Sequence, residues 1–112
     1  MRMDTTHVTA ATRGTKVVYW HRDLPPPEAE AVAEYVLEAA SAHVPGTIAH
    51  RDELWSVCYH DLLTRAQARL EQEATRLGGC YARVIGETID SCRDDGKGET
   101  WLRGRFKYVL YR

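Results

Sequence analysis

Between Gly46 and Gly78 the chain contains neither proline nor glycine, and no other stretch limits its fold as strongly. Within it, from His50 to Leu77, Trp55, Tyr59, Leu62, Ala66, Leu70, Ala74 and Leu77 recur at three- and four-residue steps. That is the period of one helical face. About 28 residues at 1.5 Å each give a helix of roughly 42 Å. Such a helix is longer than a chain of 112 residues comfortably covers, which implies kinked first turns or packing on another chain. Gly78-Gly79 is its stop signal.

Downstream, Cys80 to Ile89 reads as a strand with a bulge at Gly86, because the apolar phase set by Ala82 and Val84 slips to Ile85 and Ile89. Arg93-Asp94-Asp95-Gly96-Lys97-Gly98 has the composition of a hairpin loop. Glu99 to Tyr111 follows as a strand in which Leu102, Phe106, Tyr108 and Leu110 alternate with Trp101, Arg103, Arg105, Lys107 and Val109.

Upstream, residues 1–13 are a polar, threonine-rich lead-in or a short edge strand. Lys16 to His21 is a β-branched and aromatic run closed by Pro25-Pro26-Pro27. A second helix is expected from Pro26 or Pro27, since proline suits a first helical turn and Glu28 and Glu30 suit its positive end. Ala29, Val32, Ala33, Val36, Leu37 and Ala40 form its buried stripe, and Glu30, Glu34 and Glu38 its outer ridge. Val44-Pro45-Gly46-Thr47 ends it. The expected fold is α+β, a single domain over residues 14–112 in the order β-α-α-β-β, with two helices on one face of an antiparallel sheet.

Fifteen Lys and Arg against sixteen Asp and Glu give a formal net charge of −1. That balance disfavours a whole-protein electrostatic footprint for nucleic acid or an anionic membrane. Three cysteines without close pairing suit free thiols in a reducing compartment. Met1 to Thr12 holds no apolar run of signal-peptide length, and no stretch approaches a membrane span. These features together read as a cytoplasmic protein.

The helix ending in Leu77-Gly78-Gly79, the strand Ala82-Arg83-Val84-Ile85-Gly86 and a last strand near residue 112 resemble the YbjQ-like heavy-metal-binding domain family. Arg51-Asp52-Glu53-Leu54-Trp55 and Gly79-Cys80 also have counterparts in one branch of it. The resemblance implies a β-α-α-β-β domain assembling into rings, commonly pentamers, and it implies assembly more than chemistry. Three features depart from the family's pattern. Arg83 adds a residue to the Ala-Val-Ile-Gly run, Val44-Pro45-Gly46 replaces a glycine pair, and Tyr108-Val109-Leu110-Tyr111 replaces a small-residue ending.

No motif carries catalysis. Cys58 and His60 lie about 200° apart around a helix and cannot share an ion, while His50 with Glu53 and Cys58 with Asp61 share a face but supply only two ligands each. The spacing therefore disfavours a metal site within one chain and leaves open ligands that meet across subunits. His21-Arg22-Asp23 and His50-Arg51-Asp52 mimic a kinase catalytic loop, but no glycine-rich loop or Asp-Phe-Gly accompanies them. Gly96-Lys97-Gly98 precedes a strand where a phosphate loop needs a helix. No cofactor is indicated. The informative cluster is Arg103, Arg105 and Lys107 on one face of the last strand, with Trp101 and Tyr111 at its ends and Arg83 on the neighbouring strand. Such a surface can stack and neutralise single-stranded nucleic acid or hold an anionic ligand. The nearby acidic residues favour a solvated or intersubunit face instead.

The apolar residues Val18 and Trp20, with the ridge of Glu30, Glu34 and Glu38, are candidates for an oligomer interface, the ridge being the electrostatic complement of the basic stripe. The expected protein is therefore a small non-catalytic homo-oligomer that takes an anion or metal between subunits. A nucleic-acid module using the stripe and an enzyme with an intersubunit site are the alternatives.

Overall fold

The computed structural model describes residues 17–46 and 51–112. The elements are β1 (Val18–Trp20), β2 (Ala31–Ala40), β3 (Val44–Pro45), α1 (Arg51–Arg76), β4 (Tyr81–Asp94) and β5 (Glu99–Tyr111). The strands form one mixed sheet in the order β1-β4-β5-β2, with β3 also pairing β5. β1 runs parallel to β4, and the other pairings are antiparallel. The single described helix lies across one face.

This arrangement overturns the β-α-α-β-β expectation. Residues 31–40 are a strand paired with β5 from Tyr111 to Arg103, not a helix. The reason lies in the spacing. A step of four residues is close to one helical turn and is also an even number, so Glu34 and Glu38 share a face under either period. The alternation that decides the matter is Leu37, Ala39 and Ser41, buried at every second residue. Pairing along β5 outweighs the helical preference of an Ala- and Glu-rich segment. The sheet is mixed rather than antiparallel because β1 enters beside β4 in register Val18 to Ala82 and Trp20 to Val84. The polar lead-in of residues 1–13 lies outside the described residues.

Other elements follow the sequence closely. α1 carries Leu54, Cys58, Leu62, Ala66, Leu70 and Ala74 at four-residue steps, all buried. Its phase in the first turns is one residue earlier than Trp55 and Tyr59 imply. At its end Gly78 takes φ +76°, with Gly78 N–H donating to the Thr75 carbonyl and Gly79 N–H to the Ala74 carbonyl. These are the paired bonds of a Schellman cap, which a glycine permits without strain. Its 26 residues span about 39 Å. The 14 residues of β4 and 13 of β5 extend about 43 to 46 Å, so helix and hairpin match in length. The helix needs neither a kink nor a second chain.

The core is the helix stripe pressed on Val18, Leu37, Ala82, Val84, Leu102, Phe106 and Tyr108. The bulge falls where the apolar phase slips. Val84 pairs with Tyr108 and Gly86 with Lys107, leaving Ile85 as the extra residue.

Candidate functional site

The inner face of the sheet is filled by α1. On the outer face, Trp101, Arg103, Arg105, Lys107, Val109 and Tyr111 of β5 alternate with the buried inner set. Arg83 of β4 stands opposite Val109, and Glu34, Val36 and Glu38 of β2 flank the other side of β5. The acidic ridge and the basic stripe therefore meet within one chain. Arg105 donates from Nε and Nη2 to Glu38 Oε2, at 3.3 and 2.9 Å, and Lys107 Nζ lies 3.4 Å from Glu34 Oε1. Glu30 continues the strand by backbone alone, exchanging hydrogen bonds with Arg112.

Arg83 turns its guanidinium to the His21 carbonyl, at 2.9 Å from Nη2. Among the described residues Arg103 has no carboxylate partner, and with Arg105, Thr88, Asp90, Gly104 and Glu38 it lines a shallow depression of about 160 Å³. Trp101 stacks on His43 with ring centroids 3.8 Å apart and planes 13° apart, and His43 Nδ1 lies 3.0 Å from Glu99 Oε1. Tyr111 closes the sheet by accepting the Cys80 N–H at its carbonyl.

Val18 and Trp20, expected at an oligomer interface, face α1 instead. Val18 is buried. Trp20 sits edge-on to Phe106 at 5.8 Å, and its Nε1 donates to Gln67 Oε1 at 2.8 Å. β1 thus alternates normally, with Tyr19 on the outer side near Tyr81.

A second polar cluster lies where β1 ends. His21 holds φ +54°, and its Nε2 lies 3.0 Å from Glu87 Oε1. Glu87 pairs with Phe106 and so points to the helix side. Its Oε2 is buried and has no hydrogen-bond partner among the described residues. Burial, followed by the Glu87 charge, holds the Tyr59 phenol above its ordinary pKa. The sequence carries one signal for this inward carboxylate. A bulge at Gly86 that sends Ile89 inward sends Glu87 inward with it.

The three cysteines are free thiols, with Cys58 buried and Cys80 exposed. Among the described residues no three His, Cys, Asp or Glu side chains gather into a site able to hold a metal ion. None of their helices is long and apolar enough to cross a membrane.

Fold and surface define a two-layer α+β domain with one sheet face covered by the helix and an opposite face, of mixed charge and aromatic character, that no element among the described residues covers. No family model, curated protein or solved structure is similar to the chain, and the resemblance to the YbjQ-like family rests on its short motifs alone.

Proposed function

We propose that this chain is a non-catalytic assembly domain that associates with further copies of itself through the outer face of its sheet, the face that no element among the described residues covers. The observation carrying this reading is the composition of that face. Trp101, Val109, Tyr111, Tyr81 and Tyr19 stand on it half-buried, and Val36 is 57% exposed. Apolar and aromatic groups clustered on one face mark association surfaces. Two motives available from sequence fall away, since the helix fits its own hairpin, Val18 is a core residue and Trp20 packs partly buried against the core. The outer face of β5 is the motive that stands.

The charges on that face favour a second copy over nucleic acid. Arg105 and Lys107 are already neutralised by Glu38 and Glu34 of the same chain, so the stripe offers a polyanion little net field. A mixed surface of paired charges around aromatics is compatible with its own copy, and among the described residues Arg103, with neither a carboxylate nor the backbone carbonyl that Arg83 holds, is a cation available to a partner's carboxylate.

Sedimentation equilibrium at micromolar concentration, in low and high salt, tests the reading. The expected result is a species heavier than the 12.7 kDa protomer that weakens with salt but persists through apolar burial. A single protomer-sized species in both conditions would overturn it.

A further inference from the structure

The outer face is not the only unpaired surface. β2 forms one edge of the sheet, and among the described residues no strand pairs its outer side. Natural edges are usually guarded by lysine, proline, bulges or inward charges. β2 reads Ala-Val-Ala-Glu-Tyr-Val-Leu-Glu-Ala-Ala and contains neither proline nor lysine. Val32, Tyr35 and Val36, half of the exposed large hydrophobic residues among those described, lie on it.

Two guards are present, one near each end. A register shift between Ala31 and Ala33 breaks the ladder at the start. Near the other end the Arg69 guanidinium of α1 donates to the Glu38 carbonyl oxygen. That contact also fixes the polarity of the strand. The Glu38 carbonyl is turned away from β5, so by alternation Glu34 and Val36 point their N–H and C=O groups to the open edge. The unguarded stretch is Ala33 to Leu37, and Tyr35 is its midpoint.

We infer that a second copy of this chain pairs with this stretch, β2 against β2, antiparallel about a two-fold axis through Tyr35. The inference rests on the self-association proposed above and supplies a contact separate from the sheet face.

Charge selects the register. A two-fold axis normal to the sheet keeps each face on its own side, so paired residues must have the same parity. Centring on Val36 sets Glu34 against the partner's Glu38, and centring on Glu34 sets two glutamates directly opposite, both repulsive. Centring on Leu37 needs the carbonyl that Arg69 occupies. Centring on Tyr35 sets Glu34 opposite the partner's Val36 in a hydrogen-bonded pair and repeats this by symmetry. Tyr35 then meets the partner's Tyr35 in a non-hydrogen-bonded pair, where side chains approach most closely. Its ring, already 5.8 Å from that of Tyr108 in its own chain, extends a run of aromatic contacts across the seam.

The test uses the full chain and two opposite charges at one exposed position. Val36 faces Lys107 within the chain and the partner's Glu34 across the seam. Val36→Glu therefore gains an attractive neighbour in the protomer and a repulsive one in the assembly, and Val36→Lys does the reverse. Two symmetry-related pairs are expected to change the dissociation constant by roughly two- to thirtyfold in opposite directions. Val36→Pro removes an N–H that β5 does not use and is expected to abolish the pairing. Hydrogen exchange at the Val36 amide supplies the independent readout, with protection that rises with protein concentration.

If the wild type self-associates but all three variants leave it unchanged and the Val36 amide stays unprotected, the edge inference falls while the assembly reading stands. If the wild type sediments as a protomer, both fall. Protection of Val36 in a protein that remains a protomer assigns the edge to a segment of the same chain and also overturns the inference.

Discussion

Gly104 sits at the middle of β5, between Ile89 of β4 and Ala39 of β2, and replacing it with alanine tests how the core is closed. A methyl group there would lie 2.7 and 2.8 Å from Cε2 and Cζ of Phe106 and 3.2 Å from Cδ2 of Leu62. The Phe106 ring therefore lies over the glycine on the inner face. It has nowhere to retreat, because it is fully buried and Trp20 stands edge-on against it. Elsewhere in a strand, Gly→Ala stabilises by about 0.4 to 1 kcal/mol by restricting the unfolded chain. Here the added methyl meets a ring that cannot move, and overpacking costs about 2 to 3 kcal/mol, the upper part of its usual range. The net expectation for Gly104→Ala is a loss of about 1 to 2.5 kcal/mol. In urea, with a slope of about 2 kcal/mol/M, the midpoint falls by roughly 0.5 to 1.2 M. Protein concentration must be held constant, since association shifts apparent stability. The double variant Gly104→Ala with Phe106→Leu should recover part of the methyl's cost, giving a coupling between the two sites. A neutral or stabilising Gly104→Ala would refute the placement of Phe106 and with it the register of β5.

Leu70→Ala empties a fully buried position of the helix stripe and should cost about 2 to 5 kcal/mol by chemical denaturation; a loss below about 0.5 kcal/mol would mean that the stripe is not core. Ser41→Ala removes the hydroxyl that accepts the buried Leu102 N–H at 3.0 Å and should cost about 1 to 3 kcal/mol, whereas an unchanged midpoint would argue against that contact. Asp61 accepts the Ala42 N–H, which with Arg65 holds its carboxyl below the usual range. Its contribution is therefore present above the ordinary carboxylate pKa and is lost as pH falls through the lowered folded value. Asp61→Asn should flatten that part of the acid limb of a stability–pH profile, by a small amount because the side chain is partly exposed, and an identical limb in the variant would contradict this.

The helix, the β4–β5 hairpin, the bulge and the inward set of β5 are legible in the sequence because each repeats one period over many residues or carries a distinctive glycine. Residues 31–40 are not. Their alanines and glutamates satisfy two periods at once, and the deciding term is long-range pairing with β5, about 70 residues away. The face holding Arg103, Arg105, Lys107 and Trp101 is legible for the same reason as β5 itself. Its pairing with Glu34 and Glu38 is half-legible, since the complementarity can be read but its occurrence inside one chain depends on β2 being a strand. Val18 and Trp20 look like surface apolar residues only if the first strand is taken as apolar on both faces. Alternation with Tyr19 removes that impression.

Self-association is the claim on which the functional reading depends, and native mass spectrometry of the purified full chain at micromolar concentration measures it most directly. Self-association gives masses at integer multiples of 12.7 kDa above one, diminishing on dilution. A spectrum holding only the single protomer mass across that range would contradict it.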